Sequence, residues 1–279
     1  MPLSMPRIAF LTLIWLLPLM AAPVSADSLD RLIELSGIEH QLAATPQEFK
    51  QSFLPQVAQA FDADTLADFA VMLDRSLASD LMVARLRGYM QDRLTPREIR
   101  ELIRWHVSVL GQRITRLETA ASTPPGIEQL VASMDELLAN PQRVAAVQSI
   151  ESQLQLVDYN LALVTVTQGA LLDAMVAGSG QAARVDRVSM QAMLNVKLTA
   201  IRPEVEHSTL AHLAYIYRDL SAADMQDYLA ALQRPEMVKF NRSMMTGMAD
   251  LIEDAFGELS VYLGERIQQL HSQQVALRH

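Results

Sequence analysis

Glu204 and His207 stand three residues apart, so on a helix they set a carboxylate and an imidazole one turn apart on a shared face, with His212 a little further on. That is half of the ligand set of a di-iron helical bundle, which needs the pair twice plus two more glutamates on facing helices. The chain has no second copy, and surface or capping roles account for these residues more simply. Met244, Met245 and Met248, with Met237 a turn or two earlier, could offer thioethers to cuprous ion. Only Met237, Met244 and Met248 share a helix face, however, and the chain's 15 methionines are widely spread, as expected of a flexible core filler. Glu204, His207, His212, Met244 and Met248 are the metal candidates on offer, and the expectation is no metal and no cofactor.

His106 falls on the apolar side of its segment, where a satisfied or half-buried histidine is the ordinary reading. The serines lack a Gly-x-Ser-x-Gly elbow, His-Glu-x-x-His does not occur, and no glycine-rich phosphate loop is present. No catalytic residue is therefore assigned, and the chain is expected not to be an enzyme. Asn241-Arg242-Ser243 is a formal glycosylation acceptor, but it falls inside a predicted helix.

The elements that would carry these residues are helices. Glycine is scarce, with 10 in the chain, aromatics are 5%, and alanine, leucine, methionine, glutamine and glutamate dominate. Helix starts recur: Thr45-Pro46-Gln47-Glu48 and Thr95-Pro96-Arg97-Glu98 each combine a capping hydroxyl, a tolerated proline and a glutamate that can close a capping box. Asn140-Pro141 and Ser221-Ala222-Ala223-Asp224 follow similar logic, the last with aspartate in the glutamate's place. Breaks are predicted at Ser122 to Gly126 and Gly178 to Gly180. From Pro141 to Val176 the chain reads as one long helix, including the β-branched patch Val164 to Thr167. Its apolar stretch, Leu161 to Ala177, is read as a buried central helix rather than a membrane span, because Gln168 and Asp173 would be costly at bilayer depth.

The chain also resembles itself. Leu94-Thr95-x-x-Glu98-Ile99-x-Glu101-Leu102-Ile103 matches Leu220-Ser221-x-x-Asp224-Met225-x-Asp227-Tyr228-Leu229 at an offset of 126 residues, 94 to 220. Tyr89 and Tyr215 keep the same offset, as do the cationic Arg113 and Lys239. In the first copy Ile99, Leu102, Ile103, His106, Leu110, Ile114 and Leu117 form one apolar stripe, and Gly111, or Pro235 in the second copy, bends or ends the helix so that the chain folds back.

These segments resemble the bacterial family catalogued as domain-of-unknown-function 2059. Its motif has a Thr-x-x-Glu start, an aromatic pair and a Ser-Pro-x-Gly-Lys/Arg ending. The first copy supplies Thr95, Glu98, Trp105-His106, Ser108, Gly111 and Arg113, with Val109 in place of proline. The second keeps Pro235 and Lys239, loses the glycine and replaces the aromatic pair by Ala231-Leu232. The matches cover under a quarter of the chain. The resemblance implies an exported helical protein and brings no catalytic set with it.

Residues 1–26 have the order of a cleavable secretory leader: Arg7, the apolar run Ile8 to Met20, then Val24-Ser25-Ala26, with cleavage expected after Ala26. The apolar run is short for an anchor, and Pro18 and Pro23 interrupt its end, so no transmembrane span is expected after cleavage. Losing Arg7 and no acids deepens the net charge from -9 to -10, which argues against nucleic acid and anionic membrane surfaces as partners. With no cysteine there is no disulfide, thiolate or lipidated cysteine, and stability must come from packing. The expected fold is all-α: a multi-helix bundle with a first half over residues 27–122, a central helical connector over 123–180 and a second half over 181–279. The expected role is non-enzymatic, in the bacterial periplasm, with an envelope protein or an apolar ligand as partner. The rival reading is a metal-binding protein or metalloenzyme.

Overall fold

The computed structural model describes residues 26–58, 61–178 and 187–276. The expected leader lies outside them except for Ala26, which begins the first helix. Thirteen helices and no strand occur among the described residues: α1 Ala26–Ser36, α2 Ile38–Ala43, α3 Thr45–Val57, α4 Ala63–Ser76, α5 Ser79–Gln91, α6 Pro96–His106, α7 Val109–Ala121, α8 Pro124–Leu137, α9 Pro141–Leu154, α10 Leu156–Gly178, α11 Arg187–Ile216, α12 Ala222–Leu232 and α13 Pro235–Ala276. The all-α bundle expected from composition is the fold.

Several helix starts form as read, and one does not. Thr95 accepts from the Glu98 N–H at 3.3 Å while Glu98 accepts from the Thr95 N–H at 2.7 Å, closing the capping box at α6. Ser221 and Asp224 close the same box at α12, so the shorter aspartate suffices. Asn140 caps α9 by accepting from the Arg143 N–H at 3.1 Å. Thr45, by contrast, is already helical, and Ala44 stands at the cap without a side-chain bond. Gly37, in the left-handed region at φ 73°, is the single residue between α1 and α2 and leaves no room for a capping loop, so α1 to α3 run together as short, closely linked turns.

Three further expectations are corrected. The long helix from Pro141 divides at Gln155, whose φ of 55° is left-handed, with Glu151 accepting from the Val157 N–H at 3.2 Å across the joint. Neither glycine nor proline marks that break, which is why the pattern concealed it. The apolar helix α10 is not a buried central one. Leu156–Ala177 is long and apolar enough to cross a membrane by length and composition, and only 17% of its most apolar window is buried, with most residues half-buried against α13 and α11. The apolar stripe from Ile99 to Leu117 also spans two helices: α6 ends at His106, and Ser108 caps α7 by accepting from the Gly111 N–H at 3.0 Å. The chain therefore turns before Gly111, not at it, and Pro235 likewise opens α13 rather than ending α12.

Helix α13, 42 residues and about 63 Å long at 1.5 Å per residue, is the spine on which α4, α5, α6 and α10 pack. Phe49, Phe53 and Phe69 join Phe256 in a ring cluster that ties α3 and α4 to it, with Phe53 and Phe256 edge to face at 5.2 Å. Leu102, Tyr217, Phe240, Leu251 and Phe256 belong to one continuous buried cluster, so both halves share a core. Each such side chain contributes about 1.5–3 kcal/mol on burial.

Positions 126 residues apart meet in exchanged pairs. Arg113 of α7 bonds Asp224 of the α12 capping box at 3.1 Å, and Lys239 of α13 bonds Glu98 of the α6 capping box at 2.9 and 3.0 Å. Tyr89 of α5 lies against Gly247 of α13, while Tyr215 of α11 lies in a cluster with Ala121 of α7. Arginine guanidinium groups cover both tyrosine rings, Arg93 over Tyr89 at 3.8 Å and Arg218 over Tyr215 at 4.0 Å.

Candidate functional site

Four side chains of the first hairpin face one cavity because of how α6 and α7 join. The capping box fixes the start of α6, which brings Trp105 and His106 to its last turn. Ser108 then restarts the helix so tightly that a Cβ on Gly111 would lie 2.1 Å from the Trp105 carbonyl oxygen, and only glycine permits that approach. From Gly111, Ile114 and Glu118 follow at helical spacing on the same side of α7.

The cavity holds about 260 Å³ and lies between this hairpin and α11, α12 and α13. Its lining pairs the halves position by position: His106 with Leu232, Ile114 with Phe240, Glu118 with Met244, each 126 residues apart. Tyr217 and Tyr228 both donate to Oε1 of Glu118, at 2.8 and 3.0 Å, and their rings meet edge to face at 5.4 Å. Trp105 stacks on Tyr228 at 6.1 Å. No lysine or arginine lines this cavity among the described residues, and Glu118 is its one acid.

Burial sets the protonation of these groups. It pushes the Glu118 carboxyl up, and the two tyrosine donors, which act the other way, do not reverse it. Tyr217 and Tyr228 are pushed up by burial and by the neighbouring carboxyl. Burial brings His106 down to about 4 and lowers His212 as well. His106 is buried but not fully satisfied: its Nδ1 is 3.5 Å from the Thr115 hydroxyl, and its Nε2 has no hydrogen-bond partner among the described residues. The expectation of a satisfied or half-buried histidine is corrected accordingly: the ring is buried, 8% exposed, with one nitrogen unpaired among the described residues.

The residues singled out by pattern are placed differently from one another. Glu204 and His207 are exposed on α11, whereas His212 is half-buried in the cavity wall two turns on, so the three do not converge. No group of three or more histidine and carboxylate side chains able to hold a metal occurs among the described residues. Met237, Met244 and Met245 line the cavity, and Met248 packs against the core beyond it. Tyr89 donates to Asp250, and Tyr215 donates to Gln129 at 2.9 Å; both brace helices away from the cavity. Asn241 lies in α13, as expected, and faces the cavity.

Glu118, Tyr217 and Tyr228 were not singled out by sequence reasoning. The available signal was Glu118 itself, a carboxylate one turn past Ile114 on an otherwise apolar stripe. A larger cleft of about 550 Å³ lies between α9 and α12, but its one charged side chain, Arg143, already donates to the Tyr217 carbonyl at 2.6 Å. Comparison with family models, curated proteins and solved structures finds no match to this chain.

Proposed function

We propose that this chain is a non-enzymatic binding protein of the bacterial periplasm that takes a small apolar ligand into the cavity between its two hairpins. One observation carries the reading: a cavity walled by Trp105, Phe240, Met237 and Met244 whose lining includes the imidazole of His106, its Nε2 without a hydrogen-bond partner among the described residues. Apolar cavities with a few convergent polar groups are the usual form of small-molecule sites. Methionine walls adapt to varied apolar shapes. The leader-like residues 1–26 support an exported protein. The likeness of both capping-box segments to the family of domain-of-unknown-function 2059 supports the same address and is part of this proposal.

The reading is tested on full-length precursor expressed in a bacterium and recovered from the periplasm. Organic extraction and mass spectrometry of the purified protein should release a stoichiometric small molecule, with a change in Trp105 emission once it is removed. Recovery of the protein from the cytoplasm alone, or an extract without any bound molecule together with no cross-linked envelope partner, would count against it.

A further inference from the structure

Compared at three matched positions, the two walls of the cavity differ in polarity, although Tyr228 and Asn241 also bring polar groups from the α12–α13 side. On the α6–α7 side stand His106, Ile114 and Glu118; at the matching places on α12–α13 stand Leu232, Phe240 and Met244. Two of the three pairs thus set a polar group against an apolar one. Polarity gathers further at Glu118, because the hydroxyls of Tyr217 and Tyr228 converge on its Oε1 and leave Oε2 without a protein partner among the described residues. His106, whose buried Nε2 has no partner among the described residues, belongs to the same wall.

No cation lines the cavity among the described residues, so an anionic ligand would sit there without a counter-charge. A cationic ligand would require Glu118 to ionise where burial favours its neutral form. The volume bounds the size: a dry cavity of about 150 Å³ accepts benzene, so about 260 Å³ suits one substituted ring or a short alkyl chain.

We infer that the cavity binds an uncharged amphipathic molecule, its hydroxyl or carbonyl group held at Glu118 and His106 and its apolar body lying against Leu232, Phe240 and Met244. This rests on the cavity reading above and adds to its small, largely apolar ligand the polar end that the cavity recognises. The polar end would exchange a hydrogen bond with the free Glu118 oxygen and accept one from His106, while the tyrosines hold the carboxyl in place.

The test uses three probes of one chain length, 1-octanol, octylammonium and octanoate, titrated into the ligand-free protein at neutral pH. Trp15 falls in the expected leader, so Trp105 is the remaining tryptophan and reports from the cavity wall. Octanol should change Trp105 emission saturably, and calorimetry should find both ions at least about tenfold weaker, since a desolvated unpaired charge costs well over the 1.4 kcal/mol of one decade. Met244→Trp should abolish octanol uptake by filling the cavity. Met245→Trp, at a second wall position, serves if the first variant fails to melt cooperatively. Either ion binding as tightly as octanol would overturn the inference while leaving the cavity as a binding site. Failure of all three probes to affect Trp105 would remove the cavity reading itself, and so would octanol binding that persists unchanged in a folded cavity-filling variant.

Discussion

Lys239 donates to both carboxylate oxygens of Glu98, at 2.9 and 3.0 Å, from a helix 141 residues away in sequence. The pair joins the start of α6 to the first turns of α13. Its counterpart, Arg113 with Asp224, joins the start of α12 to α7. Burial acts to raise the Glu98 carboxyl, but the Thr95 backbone and hydroxyl and the Lys239 ammonium outweigh it and hold the group low. Each acid thus does two things at once, capping its own helix and docking the other hairpin. Lys239→Met should cost about 0.5–1 kcal/mol, at the upper end for an ion pair because Glu98 is mostly covered. Thr95→Ala should cost about 1 kcal/mol through the lost cap. Urea unfolding at low and high salt separates them: the lysine effect should shrink with salt, and the threonine effect should persist.

Glycine positions give a sharper contrast. Gly111→Ala drives a Cβ to 2.1 Å from the Trp105 carbonyl, a backbone atom that cannot swing aside, and should cost more than about 3 kcal/mol. At Gly88, Gly169 and Gly257 an added Cβ would meet nothing within 4 Å among the described residues. Alanine at any of these three, all inside helices, should therefore stabilise by about 0.5–1 kcal/mol. Thermal melts of the four variants check the order; a tolerated Gly111→Ala would mean that α6 and α7 do not join as described.

Fold class was readable because local preference and apolar spacing agree nearly everywhere, and the capping boxes at Thr95 and Ser221 located two helix starts without any tertiary information. Gln155 was unreadable for the opposite reason: a non-glycine residue in the left-handed region is imposed by packing on both sides and leaves no compositional mark. The cavity was half visible. His106, His212, Met237 and Met244 each drew notice singly, but the sequence could not bring them together. Glu118 and Tyr217 are 99 residues apart and meet only because the two hairpins cross-pair. The apolar character of α10 was plain, yet its exposure depends on which neighbours reach it, and that is a tertiary fact.

His106 should make the protein acid-sensitive. The unfolded imidazole takes its proton near 6.5, whereas burial delays the folded one to about 4. Above pH 6.5 both states are neutral and the contribution is complete. As pH falls through that window the unfolded chain alone gains a proton, and stability drops by up to about 3 kcal/mol. His106→Leu, which copies Leu232 at the matching position, should remove this slope. Urea midpoints of the two proteins at about pH 7 and about pH 4.5 decide it; parallel losses would show that His106 is not the group responsible.

Glu118 should give the opposite slope. Burial raises its carboxyl in the folded protein above the ordinary value near 4.5, so the folded state holds a proton that the unfolded state has released. Its contribution is therefore complete below the unfolded value and is lost as pH rises through the folded one. Glu118→Gln keeps an oxygen for the Tyr217 and Tyr228 hydroxyls and has no proton to lose. Relative to the native protein it should gain stability as pH rises above the ordinary carboxyl value and through the raised folded one. Glu118→Ala instead leaves two buried hydroxyls without their acceptor and should lose about 1–3 kcal/mol at every pH. If the glutamine variant is instead less stable at alkaline pH than in acid, the carboxylate is ionised in the folded protein. The cavity would then be a cation site rather than a neutral one, because a buried negative charge persists only where something positive answers it.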